Sequence, residues 1–87
     1  MRTLGSVCYW HTLKGFGFIE IITPVAGDPS GLAERDTLYF HNTDVARRQQ
    51  PHVGDGVSFE IAPSGNTKHP WRARNVQIER AVEAVRP

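Results

Sequence analysis

Phe16-Gly17-Phe18-Ile19-Glu20-Ile21-Ile22 is the stretch whose reading decides the fold. Side chains alternate across a strand, so residues of one parity share a face. Gly17, Ile19 and Ile21 then form one face, and Phe16, Phe18, Glu20 and Ile22 form the other. A half-exposed strand is apolar on one face only. The aliphatic face reads as core, which leaves Phe16 and Phe18 aimed at solvent. The segment 37–42 repeats the arrangement, with Leu38 and Phe40 on one face and Tyr39 and His41 on the other. Tyr9, Trp10 and His11 add rings upstream, in a segment where Val7 belongs to a mixed pattern.

The rest of the chain reads outward from this hairpin. Residues 3–11 form a first strand, Lys14-Gly15 a turn and residues 16–22 the second strand. Residues 23–36 hold Pro24, Gly27, Asp28, Pro29, Ser30 and Gly31, and read as a long loop with a weak helical signal at Leu32. Loops of this length in a compact domain tend to be functional or mobile. Residues 37–42 are a third strand, and 43–55 an irregular connection broken by Pro51 and Gly54. Residues 56–62 alternate Val57, Phe59 and Ile61 with Ser58 and Glu60, a half-buried fourth strand. Residues 63–70 are a loop and 71–79 a fifth strand. Residues 1–79 are expected to form one domain, and 80–87 a tail. Five short strands predict an all-β fold, a five-stranded antiparallel barrel of the OB type with an extended loop between strands 2 and 3.

Composition agrees. The 87 residues allow one small domain, and 39% are apolar. Val, Ile and Thr outnumber Ala and Leu, 19 against 11, which favours strands. No apolar run approaches the roughly 20 residues that span a bilayer, and no leader is visible, so a cytoplasmic protein without a membrane partner is expected. Net charge is +1, too small to mark a nucleic-acid binder by itself. Its distribution says more. Residues 1–19 and 61–78 carry cations and no acid, and they bracket the acidic segment 20–36. Eight of ten cations are Arg, which stacks on rings and bonds phosphate bidentately.

Flat rings exposed between basic residues form a platform on which unpaired bases stack. Arg72 and Arg74, two apart on one strand, point the same way and suit phosphate or stacking. Trp71 is placed at the edge of that surface. Arg47 and Arg48 read as solvated surface. The competing explanation is that Phe16 and Phe18 are covered by the long loop or by a second copy of the chain; a monomer is expected, with a dimer as the alternative.

Lys14-Gly15-Phe16-Gly17-Phe18-Ile19 resembles the first ribonucleoprotein motif of cold-shock domains, and Leu38-Tyr39-Phe40-His41 resembles the second. Gly5-Ser6-Val7, Gly54-Asp55-Gly56-Val57-Ser58-Phe59-Glu60 and Ala73-Arg74-Asn75-Val76 are similar to the family's first, fourth and last strands. The resemblance covers residues 4–79 in family order. It implies a five-stranded OB barrel that binds single-stranded RNA and DNA, often as an RNA chaperone. It places Tyr9, Phe16, Phe18, Tyr39 and His41 at base-stacking positions, Trp10 at a second aromatic position, and Lys14 near the phosphates. The chain departs from the family at Cys8-Tyr9-Trp10-His11, where Lys-Trp-Phe-Asn is usual, and at Asn42, where an aromatic often follows the histidine. Loop 23–36 is about ten residues longer than in short bacterial members, a length read from the resemblance. Its acidic charge would repel nucleic acid, or the loop would fold over one edge of the site, and weaker affinity is expected.

Other chemistries have less support. His11, His41, His52, His69 and Cys8 lack the spacing and the second thiolate of a usual structural zinc site. Cys8 and His41 come without a nucleophile elbow or oxyanion motif, and Gly15-Phe16-Gly17 lacks the rest of a dinucleotide loop. No metal, no cofactor and no enzymatic activity are expected. The expected ligand-facing residues are Tyr9, Trp10, Lys14, Phe16, Phe18, Tyr39, His41, Trp71, Arg72 and Arg74, and the expected partner is single-stranded RNA or DNA. The alternatives are a peptide-binding barrel using the same face, or an oligomerisation domain.

Overall fold

A computed structural model describes residues 2–25, 27, 30–65 and 68–79. The strands are β1 (Thr3–His11), β2 (Phe16–Thr23), β3 (Thr37–His41), β4 (Gly56–Pro63) and β5 (Trp71–Ile78). They close into a barrel in the order β1-β2-β3-β5-β4, with β4 pairing back onto β1. The five-stranded OB-type barrel read from the sequence is therefore the fold. Strand limits match to within a residue. The third strand stops at His41 because Asn42–Asp44 turns into a 3-10 helix, followed by a second over Ala46–Arg48. The expected tail, 80–87, lies outside the described residues. Among those residues no helix is long and apolar enough to cross a membrane.

One correction concerns strand direction. The barrel is not antiparallel throughout: β3 and β5 run parallel, meeting at Tyr39 and Arg72, with a second parallel bridge between Val45 and Val76. A closed ring with an odd number of strands cannot alternate direction at every neighbour, so one parallel pair is obligatory.

The core is built from the predicted faces. Ile19 and Ile21 of β2, Leu38 and Phe40 of β3, and Val57 and Phe59 of β4 are buried, together with Val7, Ala73, Val76 and Ile78. Phe16, Phe18 and Tyr39 are only half-buried, on the outer side. Strand β1 behaves differently along its length. Val7 pairs with Ile19 and Tyr9 with Phe18, so β1 carries an extra residue here, a β-bulge. Cys8 and Tyr9 are both exposed as a result. Before the bulge the odd residues Thr3, Gly5 and Val7 face inward; after it Tyr9 and His11 face outward and Trp10 faces in.

Gly17 makes room for that inward indole. A Cβ on Gly17 would overlap the carbonyl oxygen of Tyr9 and lie 2.8 Å from the Trp10 ring. Gly15, at φ 71, closes the turn with its N–H donating to the His11 carbonyl at 2.8 Å. Its own carbonyl accepts from Asn42 N–H at 2.8 Å, which ties the hairpin turn to the end of β3.

The long loop was expected over 23–36. Its described end docks on β2 through Arg35 N–H to the Ile21 carbonyl, 2.8 Å, and Ile21 N–H to the Asp36 carbonyl, 2.9 Å. Leu32 packs against the core, and Ala33 to Asp36 forms a hydrogen-bonded turn rather than a helix. These contacts lie at the end of β2 remote from Phe16.

Gly17→Ala should lower unfolding free energy by about 2 kcal/mol, because β1 cannot move away from β2 without losing its pairing. Gly56→Ala is the control: a Cβ there meets nothing within 4 Å, and its backbone is not left-handed. Urea denaturation midpoints of the two variants check this, and equal midpoints would contradict it.

Candidate nucleic-acid interface

The bulge and the hairpin register bring six rings onto one outer face. Tyr9 lies beside Phe16 and Phe18, with ring centroids 6.0 and 6.1 Å apart. Phe16 and Phe18 meet edge-on at 6.1 Å. Tyr39, opposite Phe18 in the β2–β3 register, lies 6.0 Å from Phe16 and 6.2 Å from Phe18. These spacings are those of favourable aromatic pairs.

Two histidines extend the cluster: His11, one of the upstream rings but not among the expected ligand-facing residues, and His69, which the sequence did not bring near it. His11 stacks on Phe16 at 5.6 Å, with planes 18° apart. His69 stacks on Tyr39 at 5.7 Å and 17°, and touches Phe18 at 5.7 Å. His69 sits in the β4–β5 loop and has no strand periodicity to reveal it. Ser64 Oγ donates to its carbonyl, and Ser64 N–H donates to the Pro70 carbonyl at 2.9 Å, so the loop is folded back on itself around His69. His11 was within reach of the sequence, since one bulge at Cys8 puts it on the face of Phe16.

The expected site residues divide between this face and other places. Tyr9, Phe16, Phe18 and Tyr39 form its centre. Lys14 is exposed on the hairpin turn, where its backbone N–H donates to His11 Nδ1 at 3.2 Å. His41 lies opposite Phe16 in register but belongs to the rim, because its Nδ1 accepts from Thr43 N–H at 3.3 Å and so caps the 3-10 turn. Trp10 and Trp71, expected to face ligand, lie on the core side instead. Trp10 stacks on Phe40 at 5.4 Å, and Trp71 packs against the core. Parity explains both: Trp10 follows the bulge, and Trp71 shares the side of buried Ala73.

Arg72 also differs from expectation. Its Nη2 and Nε donate to Asp44 Oδ2 at 2.6 and 3.2 Å, and its guanidinium lies 5.7 Å from the centroid of the Tyr39 ring. The same carboxylate oxygen accepts from His41 N–H at 3.0 Å. Asp44 is buried, so this pair is a clamp across the parallel β3–β5 join. Its charge is matched by Asp44. Arg74 is the more accessible of the two, with its Nε 3.9 Å from Asp44 Oδ1 and a side chain 61% exposed. Arg2 is likewise structural, donating to Ser58 Oγ at 3.1 Å, the Ser58 carbonyl at 2.7 Å and the Asn75 carbonyl. Of the expected cations, Lys14 and Arg74 keep largely exposed side chains.

Cys8 Sγ donates to the Phe18 carbonyl at 3.5 Å. Partial burial pushes the thiol pKa up; a backbone hydrogen bond works against it, and the Glu20 carboxylate adds a smaller rise. The thiolate is the nucleophile, so this cysteine is a poor one. Among the described residues no three His, Cys, Asp or Glu side chains gather to hold a metal ion.

No protein-family model and no curated protein matches the chain.

Asp44→Asn should destabilise the barrel by about 2–3 kcal/mol, since it leaves the Arg72 guanidinium without its counter-charge. Arg74→Ala should change stability by less than about 0.5 kcal/mol. Chemical denaturation of both variants measures the difference, and an Asp44→Asn protein as stable as the parent would contradict the clamp. A second prediction concerns Cys8. Alkylation near pH 8 should be slower than for an unstructured cysteine peptide, should accelerate as pH rises toward the elevated thiol pKa, and should be faster in Glu20→Gln. An unchanged rate in that variant would remove Glu20 as a cause.

Proposed function

We propose that this chain binds single-stranded nucleic acid by stacking unpaired bases on the face formed by Tyr9, Phe16, Phe18, Tyr39, His11 and His69. The observation that carries the reading is the continuous contact of these rings on the outside of a closed barrel, with core-facing residues of the same strands fully buried. The core does not need them. Every base has a π-face, so stacking tolerates sequence and gives mild base preference. Lys14, on the β1–β2 turn beside His11, and Arg74, two residues beyond Arg72 in β5, are the cations assigned to phosphate.

The segments similar to cold-shock domains support the same reading, and with it a role as a cytoplasmic RNA chaperone. A captured base cannot pair, so the protein opens weak RNA hairpins without an energy source. The chain departs from that family at Cys8 and Asn42, and Arg72 is engaged by Asp44, so its affinity is set by rings more than by charge.

Phe18→Ala and Tyr39→Ala should each weaken binding of a labelled pyrimidine-rich heptamer by about 1–3 kcal/mol. Val53→Ala, an exposed position of the 43–55 connection, should leave it unchanged. Fluorescence anisotropy reads the affinities, with circular dichroism to verify folding. Binding should weaken with added salt. Heptamer affinity equal in parent, Phe18→Ala and Tyr39→Ala would overturn the reading. An apolar peptide bound on the same rings, insensitive to salt, would favour the peptide-docking alternative.

A further inference from the structure

The four histidines differ in what holds their ring nitrogens. His11 Nδ1 accepts from Lys14 N–H at 3.2 Å, and His41 Nδ1 accepts from Thr43 N–H at 3.3 Å. A ring nitrogen that accepts carries no proton of its own. Protonating either imidazole there sacrifices a backbone hydrogen bond that shapes a turn. His52 lies in the 43–55 connection, its Nδ1 3.9 Å from Asp55 Oδ2. His69 is different. It is exposed, and neither of its ring nitrogens bonds to a described residue. Its position is fixed in other ways: the imidazole lies on Tyr39 and against Phe18, and Ser64 Oγ donates to its carbonyl. His69 therefore takes up a second proton without losing a hydrogen bond.

The charges around it are few. His11 and His69 end a run of ring contacts, His11 on Phe16, Phe16 on Tyr39 and Tyr39 on His69. Lys14 stands at the His11 end. At the other end, β2 and β3 meet His69 with Phe18 and with the phenol of Tyr39. Its own loop brings Lys68 next to it in sequence. From β5 comes Arg72, whose guanidinium lies 5.7 Å from the Tyr39 centroid and is matched by buried Asp44. Among the described residues no carboxylate forms an ion pair with His69. A proton gained there has no internal counter-charge, so its partner comes from outside the protein. Contact with the Tyr39 ring favours the cation as well.

We propose that His69 couples ligand binding to a proton: its imidazolium holds a phosphate of the strand that crosses the rings, so single-stranded nucleic acid binds more tightly in mild acid. The proposal rests on the stacking reading and adds to it a titratable phosphate contact. Histidine ordinarily changes charge between about pH 5 and 8. The phosphate stabilises the charged form, so binding takes up a proton from solvent. The gain is complete where the free protein already carries that proton. It fades as pH rises through the range in which the complex gives the proton up.

Fluorescence anisotropy of the full chain with a labelled uridylate heptamer, whose bases do not titrate in this range, tests the coupling at pH 5.5 and pH 8. Parent affinity should be about two- to fivefold higher at pH 5.5, the range of one exposed ion pair. The slope of log K against log salt should be steeper there by about 0.7, one added phosphate contact on a single strand. His69→Phe, which keeps a ring, and His69→Gln should each lose both changes. His69→Arg should show the steep slope at both pH values. His11→Phe should keep the pH increment, because His11 is not its source. Circular dichroism at both pH values verifies folding. Equal parent affinity at the two pH values overturns the proposal. So does an increment that survives His69→Phe and His69→Gln at more than half its size, or a His69→Arg slope that still changes with pH. Binding that ignores pH but depends on Phe18 and Tyr39 overturns this proposal alone, whereas no binding at either pH overturns the stacking reading with it.

Discussion

The bulge at Cys8 is the constraint on which the rest of the architecture turns. One extra residue in β1 inverts the parity of everything after it. Without it, Tyr9 and His11 would point into the barrel and Trp10 out of it. With it, Trp10 caps the core against Phe40, and Tyr9 and His11 join the rings of β2 and β3. The bulge is sustained by a fit on the neighbouring strand. Gly17 carries no side chain where the Trp10 ring and the Tyr9 carbonyl approach, so the inward indole and the missing Cβ specify each other. A strand register fixed by burial on one side thus determines an aromatic surface on the other.

The second device is electrostatic. Five strands force one parallel contact, and the β3–β5 join is short, with one paired position inside the named strands. Asp44 strengthens it from the side. Its carboxylate takes the His41 N–H from β3 and the Arg72 guanidinium from β5, and Arg72 in turn lies over Tyr39. Barrel closure and the placement of a platform ring are therefore carried by the same buried pair. This engages Arg72 in an ion pair, whereas the Arg74 side chain stays mostly exposed.

Much of this was legible in the sequence. Period-two alternation in 16–22, 37–42 and 56–62 located three strands and assigned Ile19, Ile21, Leu38, Phe40, Val57 and Phe59 to the core side. The same parity exposed Phe16, Phe18 and Tyr39. What was not legible came from events that periodicity does not encode. A bulge leaves no residue signature of its own, so Trp10 was placed on the ligand-facing side and His11, though noted among the upstream rings, was left out of the ligand-facing set. His69 reaches the rings through loop geometry. Arg72 and Asp44 are 28 residues apart in sequence, and only the closure of the barrel joins them. The parallel β3–β5 pair follows from counting strands around a ring, a step that the reading of individual segments omits.

The rings and the clamp describe a barrel with an aromatic outer face over a mostly aliphatic core. The central claim is that bases stack on the rings of Tyr9, His11, Phe16, Phe18, Tyr39 and His69. The most direct measurement is the shift of the aromatic ring protons in solution as an unstructured oligonucleotide is added, with a duplex of the same sequence as the comparison. The account predicts saturable upfield ring-current shifts of those six residues with the single strand, and none with the duplex. Ring protons that stay in place while the oligonucleotide binds, or shifts centred on other residues, would contradict it.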